Sequence, residues 1–337
     1  MEQSHGVVAR RGRLLALLVL VLVAVVALSL VIGSRVLGLD EVWHGLTTAH
    51  SVGDDSVVRR LRVPRTAIGL LAGIALGLSG AIMQAVTRNP LADPGLLGVN
   101  AGATLCVVLA SWLFGIGSVL GLVWFALAGA AVASVAVYAI GTAGRGGASP
   151  VRLALAGVAV TAVLNGIVQV TLLRDPLTFE RFRFWRVGSL TRADGAMVWQ
   201  LLPFVVVGTL IALSLGRLLN AVALGDDMAR SLGGSVRRTR AASVIAVTLL
   251  CGAATAAVGP ISFVGLMIPH IARRIVGPDQ RWILAYTVVL APLLLVTADI
   301  VGRLVVRPAE LQVGLVTALL GAPVLVWVVR RGRLSEL

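Results

Sequence analysis

The chain contains no lysine, so all 29 of its basic residues are arginine. That absence excludes a phosphate-binding loop of the form G-x-x-x-x-G-K-S/T, whose lysine holds the nucleotide phosphates. If ATP drives any work here, the ATPase is another chain. Charge of either sign is scarce, at 13% of 337 residues against 58% hydrophobic. A soluble domain of this length needs far more charge to cover its surface. Cysteine is nearly absent. Cys106 and Cys251 both fall in apolar runs and read as small buried hydrophobes, so neither a disulfide framework nor a metal site is expected. What remains is the composition of an all-α polytopic membrane protein.

Uncharged runs occupy 14–34, 66–87, 95–144, 153–173, 195–216, 241–272, 282–298 and 311–329. Most approach the roughly 20 residues that one helix needs to cross a bilayer. The run 95–144 is too long for one span and breaks around Gly115-Ile116-Gly117. The run 241–272 breaks at Gly259-Pro260, and its second part is short. Together they predict about ten transmembrane helices in one domain covering 1–337.

Arg10-Arg11-Gly12-Arg13 precede the first run, which exceeds the roughly 7–15 apolar residues of a signal peptide. It reads as a retained first helix that starts inside, after a cytoplasmic tail at 1–13. On that basis the inner segments, 1–13, 86–94, 142–152, 217–240, 272–281 and 330–337, carry 17 arginines. The outer segments, 35–65, 173–195 and 299–310, carry 12. The positive-inside rule supports this orientation, with both termini cytoplasmic. The net charge of +14 then needs only topology and anionic lipid to explain it, not nucleic acid.

The stretch Arg62 to Gly102 stands out. A glycine-rich apolar span, with Ala72, Gly73, Gly77 and Gly80 at helix-packing spacings, runs into Arg88-Asn89-Pro90-Leu91-Ala92-Asp93-Pro94. Two prolines within five residues force extended or turn geometry and remove two backbone donors. Irregular backbone at membrane depth is tolerated where it is buried in protein or lines a cavity, so this elbow is placed on a transport path. Arg59, Arg60, Arg62 and Arg65 precede it on the outer side. They read either as snorkelling at a helix mouth or as a basic docking patch for an acidic partner. A weak echo relates Leu71, Gly73, Ala75, Gly80 and Ile82 to Leu250, Gly252, Ala254, Gly259 and Ile261. It suggests inverted repeats.

Thr161, Asn165 and Gln169 fall at i, i+4 and i+8 of the span after the 142–152 loop, and so share a face. That face turns either to other helices or to a water-filled path. The external 174–194 segment interleaves aromatics with arginine and reads as an interfacial belt. In the inner segment 217–240, Asp226 and Asp227 suit a helix start and Gly233 and Gly234 a helix end. Leu224, Met228 and Leu232 then form one apolar stripe on a helix too short to span, suited to a partner's groove. Pro260 and Pro269 predict a short broken helix. His270 lacks clustered ligands and reads as structural. Asp299 and Arg303 form an i, i+4 pair.

Arg62-Val-Pro-Arg65, Gly80 to Gln84, Arg88 to Gly98, Ala223-Leu-Gly225, Gly259 to His270, Ala298 to Arg303 and Gly314 to Pro323 resemble the FecCD/BtuC-type permeases. These are the membrane subunits of ABC importers for ferric siderophores, haem and vitamin B12. The resemblance covers about 60 to 330. It implies a BtuC-like fold and a pair of permeases, identical or related, around one path. It also implies two cytoplasmic ATPases that bind the ATP, with no cofactor in this chain, and an extracytoplasmic binding protein. Arg62, Arg65 and Arg303 match arginines that meet that protein, and Asn89 and Leu91 match a cytoplasmic gate. Ser149, Pro150 and Val151 match a second gate but depart from the hydroxyl-rich pattern of the B12 permease. Leu218 to Gly233, with Leu218, Leu224, Gly225, Asp226, Met228, Ala229, Leu232 and Gly233, match the coupling helices that dock on the ATPase. An iron chelate is the implied cargo, with vitamin B12 or haem as alternatives. A secondary transporter or channel would instead need ionisable residues deep in the spans, and the uncharged runs hold no acidic residue.

Overall fold

In lipid every backbone polar group must be satisfied within the protein, so the apolar runs are committed to helix. The computed structural model describes residues 2–33, 37–47, 57–143, 150–231, 233–307 and 309–331, and among these every regular element is helical. Helix α1 (Glu2–Val31) and the short α2 (Leu39–Thr47) precede a π-helical turn, Val58–Arg62, which runs directly into α3 (Val63–Thr87). A 3-10 turn at Pro94–Leu97 leads to α4 (Val99–Phe114), α5 (Val119–Thr142), α6 (Pro150–Arg174), α7 (Pro176–Trp185) and α8 (Gly195–Ser214). Two short helices follow, α9 (Gly216–Ala223) and α10 (Asp226–Ser231). The chain closes with α11 (Val236–Val258), α12 (Val264–Val276), α13 (Gln280–Val305) and α14 (Val313–Arg331).

Among the described residues, seven helices are long and apolar enough to cross a membrane, and α4 and α14 are shorter apolar helices. Both expected breaks are present. Gly115, with φ +65°, ends α4, and Gly259, with φ +76°, ends α11. Helices α2 and α7 were not foreseen. The start of α7 follows local rules: the Asp175 side chain accepts from the backbone N–H groups of Leu177 and Thr178, and Pro176 takes the first helical position.

Helix α3 is the core. Over its most apolar window 78% is buried, against 6% for α1, which lies at the edge of the bundle. Its neighbours are α8, α11, α12 and α13, and the two echo helices, α3 and α11, pack together. The small-residue stripe explains how closely they approach. A Cβ on Gly73 would lie 2.4 Å from Cα of Pro292 in α13, and one on Gly80 would lie 1.8 Å from the carbonyl oxygen of Gly265 in α12. Only hydrogen fits there.

Candidate functional site

The elbow is built by its own side chains. Arg88 ends α3 in the left-handed conformation, with φ +52°. Asn89 then accepts the Leu91 N–H on Oδ1 at 2.9 Å, and the Ala92 N–H donates to the Asn89 carbonyl at 3.1 Å. Asp93 accepts the Gly95 N–H at 2.8 Å and so caps the 3-10 turn. This fold half-buries Asp93 and brings it near Cys251 of α11. Burial lifts its carboxyl above the usual carboxylate range, and the Gly95 bond partly offsets this. Beside it, Thr255 of α11 donates to Asn100 Oδ1 at 2.8 Å.

The same elbow grips the short helices. Arg88 donates from Nε to the carbonyl of Val222, the penultimate residue of α9, at 2.9 Å, and its guanidinium is ion-paired to Asp226 at the start of α10. Asp226 is also held by Arg240 of α11, at 3.0 Å. A second anchor lies nearby. Asn220 of α9 donates to Asp279, the N-cap of α13, at 2.8 Å and accepts the Gln280 N–H at 2.7 Å. A cleft of about 320 Å3 runs between elbow and short helices, bordered by Gln84, Asn89, Leu224 and Arg273. The contacts of Arg88 and Asn220 are not visible in sequence, because their partners lie 59 to 138 positions away.

The short helix expected to start at Asp226 is present as α10, with Met228 within it, while Leu224 lies before it as the cap of α9 and Gly225 turns between the two with φ +118°. Glycine is needed at that turn because L side chains avoid this φ. Leu224 and Met228 are nonetheless exposed, at 70% and 51%, and Leu218 is exposed at 39%, whereas Ala229 is buried. Gly233, with φ +78°, follows α10 as a terminating glycine should. Leu232 and Ser149 lie outside the described residues. Pro150 opens α6, and Val151 is exposed beside it. Asn165 and Gln169 are exposed and Thr161 half-buried, so among the described residues no helix covers their face of α6.

At the opposite end the arginines behave differently from expectation. Arg62 and Arg303 are 6% and 1% exposed and turn inward. Arg62 donates to the carbonyls of Leu30 and Val31 at 2.6 and 2.7 Å, and Arg303 to those of Ser29 and Ile32, both at 2.9 Å. These are the carbonyls that the end of α1 leaves without intrahelical partners, and cations suit a helix C-terminus. An outward docking contact therefore does not match the geometry of Arg62 or Arg303, because both cap α1. Asp299 does pair with Arg303, and it also receives Arg65 through two nitrogens, with a shortest contact of 2.7 Å. Arg65 reaches on to Glu310 at 2.6 Å, at the rim, where Arg59 and Arg60 are exposed.

A model of the FecCD transport family matches residues 18–331. The ferric enterobactin transport system permease protein of Escherichia coli is 48% identical over 97% of this chain and 98% of its own length. The iron(3+)-hydroxamate import system permease protein FhuB of Bacillus subtilis is 39% identical over 91% of this chain and 80% of its own. The hemin transport system permease protein of Yersinia pestis is 38% identical over 81% and 83%. A solved metal-chelate type ABC transporter in an inward-facing conformation superposes with a TM-score of 0.83 at 26% identity, covering 96% of this chain and all of that one.

Proposed function

We propose, from the fact that this chain belongs to the FecCD transport family, that it is the permease of an ABC importer that moves a ferric chelate into the cytoplasm. It resides in the cell membrane as a multi-pass helical protein. On this reading α4, α12 and α14 join the seven longer helices as spans, ten in all, and both termini lie inside, as the arginine distribution supports. Two cytoplasmic ATPases bind the nucleotide and seat on α9 and α10 through the exposed Leu218, Leu224 and Met228. A second permease covers the Thr161, Asn165 and Gln169 face of α6. The extracytoplasmic binding protein meets the rim at the exposed Arg59 and Arg60, beside Arg65, which is held by Asp299 and Glu310, while Arg62 and Arg303 lie buried beneath. No covalent chemistry is assigned to the chain.

The observation that carries this reading is the clamp of Arg88 and Arg240 on Asp226. It ties a surface helix pair, exposed and apolar, to the end of the most buried helix and to the Asn89–Leu91 elbow. A push on α10 therefore reaches the elbow through an ion pair and the carbonyl of Val222 rather than through a flexible loop. Co-purification with the cognate ATPases tests it. Deleting residues 226–232 abolishes assembly on this reading, while a secondary transporter or channel would be indifferent to the deletion.

A further inference from the structure

A cavity of about 220 Å3 opens at the Arg65 end of the bundle, where α7 and α11 finish and α14 begins. Its walls are Trp185 at the end of α7, Ser189, Thr191 and Arg192 in the following loop, and Gln312 just before α14, over a floor at Val258. The loop is fixed in place. The Ser189 N–H donates to the Val258 carbonyl at 2.8 Å, and the Gly314 N–H to the Gly188 carbonyl at 3.1 Å. Gly314 lies so close to the loop that a Cβ there would be 1.9 Å from the Val187 carbonyl oxygen. The space is therefore preformed.

Its chemistry is one-sided. No lining residue is acidic, and among the described residues the side chains of Arg192 and Gln312 make no hydrogen bond or ion pair. The carbonyl that ends α11 on the floor already accepts from Ser189. The start of α14, the positive end of a helix dipole, adjoins the same space. Ser189 and Thr191 hydroxyls pair with each other at 2.9 Å and leave one O–H to give. Donors and positive charge thus converge beside an aromatic wall. Whole small ligands fill roughly 300–1,000 Å3, so this volume suits part of a ligand rather than all of it.

We propose that this cavity is an anion-receiving subsite at the outer mouth, holding one negatively charged, oxygen-bearing arm of the chelate. Arg192 supplies the charge, and Gln312 and Thr191 supply neutral hydrogen bonds. An anionic arm entering an apolar mouth is costly unless paired, and Arg192 is the group that pairs it. The proposal rests on the importer reading.

The test uses full-length permease with two synthetic probes of similar size, a triply anionic ferric tris-catecholate and a neutral ferric tris-hydroxamate. Binding is read by quenching of intrinsic fluorescence, and uptake by the reconstituted importer with radioactive iron. Arg192→Ala weakens binding of the anionic probe by about tenfold, the scale of one charge-assisted hydrogen bond. It changes binding of the neutral probe by less than about twofold, while Arg192→Lys restores most of the loss and all three proteins melt together. Equal effects on both probes, or no binding of the anionic probe to the unaltered protein, would overturn the subsite. Uptake that proceeds unchanged in Arg192→Ala overturns the subsite and leaves the importer reading intact. Arg192-dependent binding without ATP-driven uptake in the unaltered system overturns the importer reading and leaves the subsite.

Discussion

Asp226, at the first position of α10, is ion-paired to Arg88, the residue that ends α3, although 138 positions separate them. Arg240 holds the same carboxylate from α11 at 3.0 Å. One side chain thus joins the membrane-buried core, the elbow and a surface helix. Two arginines on one carboxylate also make it hard to remove any one without consequence, since the others were placed for a negative charge.

Arg303→Ala leaves Asp299 buried with only Arg65 and strips the end of α1 of two hydrogen bonds. Breaking a buried ion pair from one side costs about 3–5 kcal/mol. Melting of the purified protein in detergent is expected to fall by several degrees. Arg65→Ala falls less, because Arg303 still neutralises Asp299. Equal losses would contradict the inward, capping role of Arg303.

Gly80→Ala places a Cβ 1.8 Å from the Gly265 carbonyl oxygen, and neither backbone can yield without moving a helix. Overpacking of this kind costs about 3 kcal/mol. The variant is expected to accumulate poorly and to melt early in fluorescence-detected size exclusion. Gly166→Ala, with nothing within 4 Å, is the matched control and keeps or slightly raises stability.

Asp93 has its carboxyl raised by burial, so the folded state binds this proton more tightly than the unfolded chain does. Its contribution is most favourable below the ordinary carboxylate range, near pH 3.9. It is lost as pH rises through the folded value. Asp93→Asn keeps an oxygen for the Gly95 N–H but removes the charge. Stability is expected to depend less on pH above the ordinary carboxylate range in Asp93→Asn than in the parent. Asp93→Ala loses the cap as well and melts lower at every pH in that range.

Much of the helical plan was legible in sequence because hydropathy and small-residue spacing are local signals. The breaks at Gly115 and Gly259 and the contacts of Gly73 and Gly80 follow from them directly. The direction of a charged side chain is not local. The resemblance placed Arg62 and Arg303 at the docking face, because sequence shows a guanidinium near a span end, not that the end of α1 lies beneath it. The Arg88–Asp226–Arg240 clamp was equally hidden, since its three members meet only after two short helices fold back on α3. Helix α7 had a readable start at Asp175-Pro176, but its mixed aromatic and arginine content obscured it.

Asn165→Leu and Gln169→Leu alter an exposed face of α6. Surface substitutions away from special features change stability by about 0.5 kcal/mol or less, so the double variant melts with the parent. If the face lines the path between two permeases, uptake of chelate falls several-fold while ATPase association persists. Unchanged uptake would remove these residues from the path.

The most direct measurement is chelate uptake per ATP hydrolysed in proteoliposomes carrying the complete importer with Asp226→Asn. The amide is nearly isosteric, and the exposed Leu224 and Met228 are untouched, so the ATPases still bind and hydrolyse. Loss of the charge weakens the grip of Arg88 and Arg240, and uptake per ATP is expected to fall about tenfold. Uptake per ATP equal to that of the parent would contradict the claim that Asp226 couples the short helices to the elbow.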